Sequence, residues 1–140
     1  MRPVRVVLVD DHAVMRLGIR NLLSRSNEIQ VIGEASNGVE ALETVERLKP
    51  DVLVLDMEMP VMDGVEVARR MRTSGTPTRI LAFSAYNDKF YVQSLLEMGA
   101  SGYLTKDEDP NTIIEAVLRV ADGEKGWLTH KVAARVSSKE

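Results

Sequence analysis

Asp10, Asp11, Asp56, Ser84 and Lys106 are the residues of this chain whose types and placement could do chemistry. Each stands at or just past the end of a short apolar run. Asp10 and Asp11 follow "VRVVLV" (4–9), Asp56 follows "DVLVL" (51–55), Ser84 follows "RILAF" (79–83), and Lys106 lies two residues beyond "GYL" (102–104). Brought together, they would offer three carboxylates, one hydroxyl and one ammonium. Carboxylates a few Å apart raise one another's pKa and do not all stay ionised unless a cation joins them. An oxygen donor set points to a hard ion, Mg²⁺ before Zn²⁺ or Cu²⁺. A nucleophilic carboxylate, a hydroxyl donor and a fixed positive charge beside a metal are what transfer of a phosphoryl group to an aspartate requires.

Taken singly, most of these residues have plainer readings. An Asp pair after a strand is commonly a turn or a helix cap, a serine a cap, and a lysine a solvated side chain. Asp56 resists, because burying a lone carboxylate is costly. The functional reading therefore depends on whether the chain brings all of them to one place.

The elements that would do so are legible. The runs at 4–9, 30–35, 51–55, 79–83 and 102–104 are short and rich in Val and Ile, as strands are, although the last is too short to read on composition alone. Between them, apolar residues at three-and-four spacing predict helices over 13–24 (Val14, Leu17, Gly18, Ile19, Leu22, Leu23), 38–48, 64–72, 88–98 and 110–121. Asp109 and Pro110 suit the N-cap and first turn of the last helix. Strands alternating with helices predict a doubly wound parallel sheet covered on both faces. In such sheets functional groups gather beyond the carboxyl ends of the strands. The five-stranded, flavodoxin-like order 2-1-3-4-5 is the template.

A chain of 140 residues suits one domain. The net charge of −3 gives no general attraction to nucleic acid, and the absence of cysteine excludes disulfides, thiolate metal sites and a Cys nucleophile. No signal-peptide pattern or membrane-length apolar run is present, which predicts a cytoplasmic protein with no membrane partner. The pattern changes after "DGEKGW" (122–127). Residues 1–123 read as the domain, and 124–140 as a linker or a terminal amphipathic helix on Leu128, Val132 and Val136, leading toward an output domain outside this chain.

The stretches "VVLVDDHAVMRLGIRNLL", "DVLVLDMEMPVMDGVEVARRMR" and "ASGYLTKDEDPNTIIEAVLRV" resemble the receiver domain of bacterial two-component response regulators, over about residues 3 to 123. The motifs that carry the likeness are the acidic pair, Asp56 with Pro60 four residues later and Gly64 eight later, Ser84, and Lys106 followed by Asp107. "DDHAVMRLG" and "GYLTKD" are most similar to the NarL/FixJ (LuxR-type) branch, whose receivers precede a helix-turn-helix DNA-binding domain. The resemblance implies that Asp56 accepts a phosphoryl group from a histidine kinase. It implies that Asp11, Asp10, Asp56 and the backbone carbonyl of Glu58 hold Mg²⁺, and that Ser84 and Lys106 contact the phosphoryl oxygens. Tyr103 would be the switch aromatic, turning inward on phosphorylation, and a homodimer is a possible consequence.

Glu58 and Tyr86 would then sit where the family tunes dephosphorylation. His12 reads as a solvent-facing loop residue in preference to a ligand, Met57, Met59 and Met62 as loop packing, and Trp127 as an anchor for the terminal segment. Beyond its own phosphorylation and dephosphorylation no enzymatic activity is expected. The alternatives are a stand-alone receiver acting through protein contacts, an aspartate-nucleophile phosphohydrolase, or a flavin-binding or purely structural module of this fold. The phosphohydrolase reading suffers because such enzymes place the acid-x-acid loop after the first strand, and here it follows the third.

Overall fold

In the computed structural model, residues 2–85 and 89–128 are described. Five strands, β1 (Val4–Val9), β2 (Ile29–Ala35), β3 (Val52–Asp56), β4 (Arg79–Ser84) and β5 (Gly102–Thr105), alternate with five helices. The helices are α1 (Ala13–Leu23), α2 (Gly38–Leu48), α3 (Gly64–Ser74), α4 (Lys89–Glu97) and α5 (Thr112–Ala121). All pairings are parallel and the order β2-β1-β3-β4-β5 is the one expected.

The sheet sorts its side chains by strand periodicity. Val7, Val9, Leu53 and Leu55 point to the face covered by α2, α3 and α4, where they meet Val45, Val67 and Leu95. Val6, Leu8, Val52 and Val54 point to the other face and meet Ile19 and Leu23 of α1 and Ile113, Val117 and Val120 of α5. All five residues of β3 are buried, because this strand lies in the middle of the sheet under both layers. Each fully buried aliphatic side chain of this kind stabilises by about 1.5–3 kcal/mol.

Three features depart from the sequence expectations. Trp127 and Leu128 form a two-residue strand, β6, parallel to β5, with the Trp127 amide donating to the Ser101 carbonyl at 2.9 Å. The sheet thus takes in residues expected to lead away from it. The helix expected on Leu128, Val132 and Val136 falls, from residue 129 on, outside the described residues.

The apolar face of α1 is only half used: Ile19 and Leu23 are buried, but Val14 is 85% and Leu17 57% exposed. Helical spacing marks an apolar face without saying whether the protein's own core covers it.

Helix α5 begins at Thr112, with Asn111 and not Asp109 at its N-cap. Asp109 instead closes the preceding turn, its Oδ1 accepting from the Asn111 amide at 2.9 Å and its carbonyl from the Thr112 amide at 2.9 Å. Among the described residues no helix is long and apolar enough to cross a membrane.

Candidate functional site

The register of the parallel strands brings the chemistry together. Val9 pairs with Leu55, Asp56 with Phe83, and Ser84 with Thr105, so the carboxyl ends of β1, β3, β4 and β5 are level. Asp10 is 2% and Asp56 1% exposed. Asp10 turns the chain into α1 by accepting the His12 amide on Oδ1 at 2.8 Å, and Arg16 of α1 holds the Asp10 carbonyl at 2.6 Å. Arg16 and Arg20 both bind Glu34 at the end of β2, which fixes the helix start over the site.

Asp56 Oδ1 accepts from Lys106 Nζ at 2.9 Å and from the Glu58 amide at 3.0 Å. Asp56 Oδ2, Asp10 Oδ2 and Asp11 Oδ1 are buried and have no hydrogen-bond partner among the described residues. Donor atoms of Asp10, Asp11, Asp56 and His12 all lie within 4.8 Å of one another.

Burial pushes the Asp56 carboxyl up to about 6, with the charge of Asp10 adding to the effect and the Lys106 and Glu58 hydrogen bonds opposing it. For Lys106, burial works against the charge, but the hydrogen bond and charge of Asp56, with Asp10 and Glu58, leave its pKa raised. The ammonium is held charged against Asp56.

The loop after Asp56 is tightly folded. Val61, fully exposed, has φ +70° at the centre of a three-residue turn closed by the Met62 amide on the Pro60 carbonyl at 2.8 Å. Asp63 caps α3 by accepting the Glu66 amide at 3.0 Å. Gly64 is required by contact: a Cβ there would stand 2.5 Å from Met57 Sδ and 2.7 Å from Met57 Cα. Met57 and Met59 are buried in the core and Met62 packs against it, as expected of loop packing.

Glu58 does more than add charge. Its carboxylate accepts from Ser84 Oγ at 2.5 Å and from the Ala85 amide at 2.8 Å, and stands 3.9 Å from Lys106 Nζ. Sequence reasoning missed this bridge between the β3 and β4 ends. The available signal was an acid two residues beyond Asp56, but its direction is set by the loop.

His12 is solvent-exposed, as read from sequence, yet its Nδ1 turns over the acidic pair, 3.2 Å from Asp11 Oδ1 and 3.4 Å from Asp10 Oδ1. Tyr103 is fully buried and packs edge-on against Tyr91, with ring centroids 6.3 Å apart. The ring expected to turn inward on phosphorylation already lies inside. Tyr86 lies outside the described residues.

The unpartnered oxygens of Asp10, Asp11 and Asp56 suit a hard divalent cation, which would supply the missing partners. Residues 6–118 match the response regulator receiver domain family. The chain belongs to this family. The nitrate/nitrite response regulator NarL of Escherichia coli (strain K12) is 40% identical over 122 residues, which are 87% of this chain and 56% of that protein. This receiver thus spans little more than half the length of that relative.

Among solved structures, the signal receiver domain of a NarL response regulator from Mycobacterium tuberculosis superposes with a TM-score of 0.85 at 43% identity, covering 89% of this chain and all of that one. A LuxR-family response regulator from Aurantimonas sp. SI85-9A1 superposes with a TM-score of 0.91 at 31% identity, covering 96% of each chain. Receiver domains generally bind Mg²⁺ at an acidic pocket, and this receiver has such an acidic group.

Proposed function

We propose that this receiver is a phosphoacceptor switch in which Asp56 takes a phosphoryl group from the phosphohistidine of a sensor histidine kinase. The observation that carries the reading is Asp56 itself. It is a buried carboxylate with one oxygen fixed by Lys106 and Glu58, and the other unpartnered and facing Asp10 and Asp11. A carboxylate oxygen of Asp56 attacks phosphorus, the P–N bond to the kinase's protonated phosphoimidazole breaks, neutral imidazole leaves, and an acyl phosphate forms. Mg²⁺, held by Asp10, Asp11, Asp56 and the backbone carbonyl of Glu58, would neutralise phosphoryl charge. Lys106 supplies a second positive charge at the same place.

The switch is an exchange of anions. Ser84 Oγ and the Ala85 amide hold the Glu58 carboxylate in this state. A phosphoryl group on Asp56 competes for those two donors and for Lys106, and Ser84 then draws the end of β4 toward Asp56. Tyr103, one strand over on β5, passes the shift to the surface of α4, β5 and α5.

The kinase helix docks at the exposed start of α1. There Val14 and Met15, with Leu22 and Ile113, line a cavity of about 1000 Å³ that reaches Lys106. The protein works in the cytoplasm, with transcription as its output through a DNA-binding domain outside this chain, and phosphorylation promotes a homodimer. Incubation with Mg²⁺ and acetyl phosphate followed by intact mass tests the reading. One added phosphoryl group, after which uptake stops, supports a switch. Steady release of phosphate from a phosphomonoester would establish a phosphohydrolase instead.

A further inference from the structure

We propose that His12 is a protein ligand of the metal held by the acidic cluster, so that the site also takes the imidazole-seeking divalent ions Ni²⁺ and Zn²⁺, with Mn²⁺ as a spectroscopic probe of the same ligand set. This rests on the reading of Asp10, Asp11 and Asp56 as a metal site and extends it from an all-oxygen donor set to a mixed one. Two neighbouring donors on one six-coordinate ion, each bonded at about 2.1 Å, stand about 3 Å apart. His12 Nδ1 lies 3.2 Å from the unpartnered Asp11 Oδ1, close to that spacing, while its 3.4 Å approach to Asp10 is to Oδ1, the oxygen that already accepts the His12 amide. The 3.2 Å approach is not a hydrogen bond, since Asp11 Oδ1 has no such partner.

A second observation points to a cation independently of the cluster's charge. Asp10 Oδ2 and Asp56 Oδ2 belong to side chains almost wholly buried, and neither has a hydrogen-bond partner among the described residues. The backbone already holds His12 in place. Its amide donates to Asp10 Oδ1, its carbonyl accepts the Arg16 amide that opens α1, and its side chain makes no helix-capping bond. Only side-chain rotation remains to be fixed when the imidazole binds an ion. Imidazole favours Ni²⁺ and Zn²⁺ over Mg²⁺, so His12 raises affinity for the former and leaves the latter nearly unchanged.

The test uses the metal ions alone on the purified chain. Electron spin-echo spectra of the Mn²⁺ complex should show ¹⁴N coupling that disappears in His12→Ala. Calorimetric titration should show Zn²⁺ binding weakened by about ten-fold or more in that variant, against less than about two-fold for Mg²⁺. His12→Ala also controls for the second histidine of the chain, His130. Mn²⁺ that binds without ¹⁴N coupling, or coupling that survives His12→Ala, overturns the proposal while leaving the carboxylate metal site standing. If neither Mg²⁺ nor Mn²⁺ binds at all, the metal-site reading falls and takes this proposal with it.

Discussion

Asp56 is placed where the fold works against its charge. Without a metal, burial pushes its carboxyl up to about 6, above the ordinary 3.8. Between those values the native state keeps a proton that the unfolded chain releases. The stability this gives is fully present below about pH 4 and is lost as pH rises through 6. Two pKa units correspond to about 3 kcal/mol. Asp56→Asn should therefore raise the metal-free protein's stability by about that order at pH 7.5, with the gain vanishing toward pH 4. Denaturant unfolding at the two pH values checks it. For Glu58, removing the carboxylate leaves Ser84 Oγ and the Ala85 amide to a phosphoryl group without competition. Glu58→Ala should lengthen the phosphorylated lifetime several-fold, and a lifetime unchanged or shortened in a decay time course would count against the anion exchange. Both assignments show what sequence can and cannot reach. Asp56, Ser84 and Lys106 were legible because each stands at or just past the end of a strand. The directions of Glu58 and His12 were not, because loop geometry sets them.

The β3–α3 loop is the element that sets the site's shape, and it is under strain in one place and tight in another. A valine at φ +70° is sterically disfavoured, and its side chain is fully exposed. Val61→Gly should relieve that strain, partly offset by the greater freedom glycine gives the unfolded chain, for a net gain of roughly 0.5–1 kcal/mol in an equilibrium melt. Gly64→Ala should do the reverse. Its methyl group meets the backbone of Met57 as well as its side chain, so α3 must back away, at a cost of about 1–3 kcal/mol and with slower labelling of Asp56. Strands and helices of ordinary length were legible from their periods. Strand β6, with two residues, has no period to read. Helix α5 starts two residues late because Asp109 spends its carboxylate on the turn before it.

For the whole molecule, parallel topology does the assembling, since four level strand ends bring residues 10 to 106 into one crevice. It also leaves the start of α1 presenting Val14 and Leu17 to solvent beside that crevice. Val14→Asp should cut phosphotransfer from the cognate kinase by about ten-fold or more, since a charge at an apolar contact opposes docking. Acetyl phosphate labelling should be unchanged, because a small donor needs no docking face. Equal loss with both donors would place Val14 in the chemistry and remove the docking role. The central claim is that Asp56 carries the phosphoryl group, and it is tested most directly by trapping. Borohydride reduces an aspartyl phosphate to homoserine. Peptide mapping after acetyl phosphate and Mg²⁺ should find homoserine at position 56, and reduction at Asp10, Asp11 or elsewhere with Asp56 intact would contradict the account.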